Sequence, residues 1–152
     1  MEKLAHVTIG FISVSILYLI MIFFFHWPMP GIQEIIILIV LAYTFSLLPD
    51  IDIKSGTIVW HFIGVSIIGL VVGYFAPTGI NGQWLMISSF VLLVLTFLCA
   101  QFAGHRGPIH TVWAGAIFTV PIYFIFSDWR LCVLAWVAFY SHLAADGYWF
   151  KV

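Results

Sequence analysis

The sequence predicts an all-α polytopic membrane protein, a single domain over residues 1–152 built as a bundle of about six transmembrane helices. Three observations carry that prediction. Hydrophobic residues make up 64% of the chain and charged residues only 7%, with a mean hydropathy of +1.17, beyond what a soluble core needs. Apolar runs of about 17 to 20 residues, enough to cross roughly 30 Å of hydrocarbon, recur between short breaks. The ionisable groups gather at the ends of these runs, where charge is least costly to a membrane protein.

Helix 1 is expected over Ala5 to Phe25 and ends at Trp27-Pro28-Met29-Pro30-Gly31, where two prolines and a glycine forbid further helix. Its apolar stretch, Val7 to Phe25, follows Lys3 but exceeds a signal-peptide core and is not followed by a small-residue cleavage pattern, so it reads as the first span. Helix 2 runs from Gln33 to Leu48 and stops at Pro49. Asp50-Ile51-Asp52-Ile53-Lys54-Ser55-Gly56 then forms a polar loop, with Ser55 or Thr57 available to cap helix 3, which extends to Phe75. The turn cluster Pro77 to Gly82 precedes helix 4, Gln83 to Phe102. Gly104-His105-Arg106-Gly107-Pro108 breaks that helix, and Pro108 suits the first turn of helix 5, Ile109 to Phe126. Ser127-Asp128 leads into helix 6, Trp129 to Asp146. Gly64, Gly69 and Gly73 in helix 3 fit close helix packing within the bundle, the last two at the small-xxx-small spacing.

Six crossings would return the chain to its starting face. That face holds His6, Asp50, Asp52, His61, His105, His110, His142 and Asp146, with His26 opposite, beside Trp27. Lys3, Lys54, Arg106 and Lys151 share it against Arg130 on the other side, a bias that marks the cytoplasmic side and puts both termini there, in an inner-membrane setting. A net charge of −1 with no basic run argues against nucleic-acid binding. Cys99 and Cys132 fall near opposite faces, roughly 30 Å apart, too far for a disulfide. Oligomeric state has no signature in the chain.

The polar cluster carries the chemistry. His142 and Asp146, four residues apart, lie one above the other on a helix face. A carboxylate at a helix C-terminus opposes the macrodipole unless a cation is near, which favours a metal ligand over an interfacial pair. His105, Arg106 and His110 come together around two glycines and a proline; imidazoles suit zinc, iron, nickel or copper, and the Arg106 guanidinium suits a phosphate oxygen pair, although it could also snorkel to headgroups. Asp50 and Asp52, on alternate positions of an extended segment, would project the same way and bracket a divalent cation; alone, they read equally as a solvated loop. His6 and His61 are weaker candidates, interfacial by default.

The blocks His6 with Gly10, Leu48-Pro49-Asp50-Ile51-Asp52, His105-Arg106-Gly107-Pro108-Ile109-His110-Thr111 and Ser141-His142-Leu143-Ala144-Ala145-Asp146 resemble, in order and over nearly the whole chain, the signatures of the YdjM-like membrane-bound metal-dependent hydrolases. That family is distantly similar to zinc-dependent phospholipases C. The resemblance implies a phosphoester hydrolase site with His6, Asp50, Asp52, His105, His110, His142 and Asp146 as metal ligands. The expected cofactor is one or more divalent ions, zinc first, with manganese or iron(II) as substitutes.

The reaction expected is hydrolysis of a lipid or isoprenoid phosphoester at the membrane face by a metal-activated water. Arg106 would neutralise the phosphate charge, and Asp52 or Asp50 would accept the water proton. The alternative is a non-enzymatic membrane protein, either a metal-ion transporter or a bundle that binds metal structurally. A transporter needs a polar route near the midplane, where helices 2, 4 and 5 carry only scattered Ser, Thr and Tyr.

Overall fold

A computed structural model describes residues 3–52, 56–76, 80–102 and 109–147, and among them the chain is all helical. The α-helices are α1 (Lys3–Phe25), α2 (Ile32–Leu47), α3 (Gly56–Tyr74), α4 (Gly82–Phe102), α5 (Val112–Phe126) and α6 (Trp129–Ala145). A 3₁₀ helix, Leu48–Asp52, continues directly from α2. Among the described residues, three stretches, Leu4–Phe25, Ile32–Asp50 and Gly82–Cys99, are long and apolar enough to cross a membrane. Ile58–Tyr74, Val112–Phe126 and Trp129–Ala145 are shorter apolar helices.

The least apolar of the helices, α6, is the central one. It packs against α1, α2, α5 and the 3₁₀ helix, whereas α3 and α4 pair mainly with each other. Ala135, Ala138, Phe139 and Leu143 of α6 are fully buried and meet Phe45, Leu47 and Leu48 in one core. Apolar surface elsewhere points outward: only 17% of the α1 span and 11% of the α4 span is buried, and Ile12, Ile16, Phe23, Phe90 and Phe97 are exposed. Such an inversion suits a lipid solvent, because an aqueous one would penalise that surface by about 25 cal/mol per Å².

Small residues set the closest approaches. A Cβ on Gly10 would lie 1.8 Å from Ser46 Oγ and 2.9 Å from Ser46 Cβ, so only glycine lets α1 sit so close to α2. Gly69 and Gly73 bring α3 onto α4 as the spacing predicts, with Ser89 Oγ and Met86 Cγ at 2.1 and 2.6 Å from their hypothetical Cβ atoms. Gly64 does not join them: nothing lies within 4 Å of its Cβ position.

Other expectations need correction. Asp50-Ile51-Asp52 is not extended. Its backbone winds as a 3₁₀ helix, so the alternation expected of an extended segment does not apply there. The cap expected from Ser55 or Thr57 falls on Ser55 and the Thr57 side chain, both outside the described residues. Helix α5 begins at Val112, not Ile109, because Thr111 is its N-cap and accepts from the Ala114 N–H at 3.2 Å. Pro108 lies outside the described residues. Neither Cys99 nor Cys132 is in a disulfide, as their expected separation implies.

Candidate metal centre

Four chain segments deliver the site. The proline after α2 throws Asp50 into the first turn of the 3₁₀ helix. Thr111 stops α5 short and leaves His110 in the preceding turn, fully buried. The last turn of α6 presents His142, and Asp146 follows as its C-cap, its N–H donating to the His142 carbonyl at 3.0 Å. His6 comes from the first turns of α1.

Asp50, His110, His142 and Asp146 each offer one donor atom, and the four atoms lie within 4.8 Å of one another. His142 Nε2 is 3.4 Å from Asp50 Oδ1 and 3.6 Å from Asp146 Oδ2, and His110 Nε2 is 3.9 Å from Asp50 Oδ1. His6 adjoins this group. Its ring stacks on His142 with centroids 4.0 Å apart, and its Nε2 lies 3.4 Å from Asp146 Oδ1, so Asp146 faces the four-donor group with one oxygen and His6 with the other.

The hydrogen bonding of His142 shows what the cluster requires. Its Nδ1 lies 2.6 Å from the Ser46 carbonyl oxygen, an acceptor only, so Nδ1 carries a proton and donates it. In the neutral ring Nε2 is then a bare lone pair. That atom is buried, has no hydrogen-bond partner, and faces carboxylate oxygens of Asp50 and Asp146. Acceptors facing acceptors in a buried site repel unless a proton or a metal cation lies between them. Two imidazoles and two carboxylates form a donor set suited to a borderline divalent ion, so the residues present fit a metal.

A family model described as YdjM inner membrane protein matches residues 1–151. The chain belongs to the YdjM inner membrane protein family. Membership agrees with the apolar helices in making this an integral membrane protein. No curated protein and no solved structure matches the chain.

Of the residues singled out from the sequence of this YdjM family member, the structure brings His6, Asp50, His110, His142 and Asp146 together at one end of the bundle. His105, Arg106 and the Asp52 side chain lie outside the described residues. His61 stands apart in α3, edge-on to Tyr43 at 4.8 Å. His26 ends α1 in the left-handed region at φ 55°, exposed and remote from the cluster. Sequence reasoning missed Ser46, because its part is played by a backbone carbonyl. The available signal was Pro49, which has no N–H to give the carbonyl three residues back, that of Ser46, in a 3₁₀ turn.

Proposed function

We propose that this YdjM family member is a membrane-embedded metal-dependent hydrolase that cleaves a lipid or isoprenoid phosphoester at the cytoplasmic membrane face. The observation that carries the reading is the buried, unpartnered Nε2 of His142 between two carboxylates. In this reading all six helices cross the bilayer with both termini cytoplasmic. The shorter ones, such as α5 with 15 residues or about 22 Å, are completed by their flanking segments.

Asp50, His110, His142 and Asp146 hold the ion, joined by His6 and by His105 and Asp52 from the neighbouring segments. A bound divalent ion, zinc first with manganese or iron(II) as substitutes, supplies a water acidic enough to attack phosphorus near neutral pH. Asp52, or Asp50 where it is not engaged, accepts the proton of that water on a carboxylate oxygen. Arg106 neutralises charge developing on the phosphoryl oxygens. His6, stacked on His142, closes the site from the α1 side and engages Asp146 Oδ1. An apolar groove of about 280 Å³ is lined by Ile109 and Thr111, the chain neighbours of His110, and by Trp113, Ala114, Ile117 and Phe118, which supports an alkyl chain as part of the substrate.

A second reading is favoured by one fact: four protein donors so close together can fill a tetrahedral site, as a structural ion requires. Transport has less support, since the core around Leu134, Ala135, Ala138 and Phe139 is apolar and closed. Elemental mass spectrometry of purified wild type, His110→Ala and Asp146→Ala, followed by assay against lipid phosphomonoesters and isoprenoid diphosphates, tests the proposal. Stoichiometric metal lost in both variants, with metal-dependent phosphate release, is expected. Metal without an exchangeable water ligand would favour the structural bundle, and a folded, metal-free wild type after supplementation would overturn both.

A further inference from the structure

We infer that Pro49 is a positioning residue for His142: by ending α2 it leaves the Ser46 carbonyl without a helical donor, and that carbonyl fixes which His142 nitrogen faces the metal cluster. The inference rests on the metal reading for its function, though not for its geometry. In a continuing α-helix the Ser46 carbonyl would accept from the N–H four residues on, that of Asp50. The chain from Leu48 to Asp52 winds instead as a 3₁₀ helix, where the donor to the Ser46 carbonyl would be the N–H three residues on, and Pro49 at that position has none.

Ser46 is fully buried, so its freed carbonyl needs a partner. The Ser46 hydroxyl is committed elsewhere, donating to the Ala42 carbonyl at 2.6 Å. His142, itself fully buried, fills the vacancy through Nδ1 at 2.6 Å. One ring nitrogen bound to a carbonyl sets the tautomer and the ring plane, and so aims the Nε2 lone pair at Asp50 and Asp146. The same proline sets where Asp50 enters the site, so one backbone interruption arranges two of the four donors. Bare Gly10 completes the arrangement by letting α1 pass over Ser46.

The test uses full-length protein in detergent micelles, labelled with ¹⁵N-histidine and free of metal. His142 resonances are assigned by their loss in His142→Gln, and cobalt(II) titration is followed by visible absorption. Wild type is expected to hold the Nδ1–H tautomer at His142. Pro49→Ala, which supplies an N–H and lets the α-helix run on, is expected to lose that tautomer and to bind cobalt roughly 10–100-fold more weakly. A merely structural proline would lower the melting temperature and leave the tautomer unchanged. An Nε2–H tautomer in wild type overturns the inference whether or not cobalt binds, and so does a folded Pro49→Ala with wild-type tautomer and affinity. Should Pro49→Ala fail to fold, Pro49→Ser, which likewise restores the N–H, is read by the same two measurements. Absence of cobalt binding in a wild type that holds Nδ1–H overturns instead the metal reading, and with it the ligand role of His142.

Discussion

The two ends of the bundle hold polar groups in opposite ways. At one end Arg130 Nε donates to both oxygens of Asp128 at 2.9 and 3.0 Å, its guanidinium lies 5.5 Å over Trp27, and Tyr18 donates to Glu34 at 3.0 Å. Glu34 is also 3.9 Å from Arg130, so opposite charges alternate and donors meet acceptors. At the other end His142 Nε2 faces carboxylates on two sides, and His6 Nδ1 is buried without a hydrogen-bond partner. The first end is complete as protein and ties α1, α2 and α6 together. The second has bonding capacity left over. Charge content does not mark the candidate site, since both ends are charged; unmet bonding capacity does.

The largest effect that would sharpen this contrast is in metal affinity. Asp50→Ala and His142→Ala are each expected to weaken cobalt(II) or zinc(II) binding by more than about 100-fold, beyond the range seen when outer-shell partners are lost. Arg130→Ala, at the opposite end, is expected to bind as wild type does. Isothermal titration of all three in one detergent checks it, and equal losses at both ends would erase the distinction.

Packing comes next. Gly10→Ala places a methyl group 1.8 Å from Ser46 Oγ, and rotating the hydroxyl does not cure the clash because Ser46 Cβ is at 2.9 Å. Displacing α1 should cost about 1–3 kcal/mol and carry His6 away from His142. Thermal unfolding in detergent measures the cost. Unchanged stability would mean that α1 does not depend on the bare Cα there.

At the completed end the effect is smaller and depends on pH. Burial alone would raise the Asp128 carboxyl, but the side-chain and backbone hydrogen bonds from Arg130 outweigh it and hold the group below its ordinary 3.8. A carboxyl lowered in the folded state contributes stability that is present above its unfolded value and lost as pH falls through the folded one. Asp128 is also the N-cap of α6, so Asp128→Ala should cost about 1 kcal/mol near neutrality. The gap from wild type should narrow below about pH 4 as the native carboxyl protonates. A gap constant from neutral to acid pH would contradict the ion-paired cap.

Much of this was legible in the residues, for physical reasons. Long apolar runs between prolines and glycines read as helices, so the six α-helices could be read from hydropathy and their breaks, three of them long enough to cross a membrane. Even the convergence of His6, Asp50, His110, His142 and Asp146 was expected from laying six successive helices end to end in alternating directions. The turn geometry was less legible. Asp50-Ile51-Asp52 reads as a loop because proline ends an α-helix, yet a 3₁₀ helix tolerates what an α-helix does not, and sequence periodicity over five residues cannot separate the two. His6 looked incidental because its role depends on a stacking contact with a residue 136 positions away. Ser46 was invisible because any residue supplies a carbonyl.

The smallest effect separates glycines that sequence alone treats alike. Gly64 and Gly69 both lie in α3 amid the same apolar surroundings, but a Cβ at Gly69 would sit 2.1 Å from Ser89 Oγ and 3.1 Å from Ser89 Cβ on α4, whereas one at Gly64 meets nothing within 4 Å. Gly69→Ala should therefore loosen the α3–α4 pair. Gly64→Ala should stabilise the helix by about 0.5–1 kcal/mol, because alanine gives up less backbone freedom on folding. Opposite shifts in melting temperature are the expected result. If both variants destabilise, Gly64 serves a contact beyond this single chain, and a partner helix in the membrane becomes the simplest source of that contact.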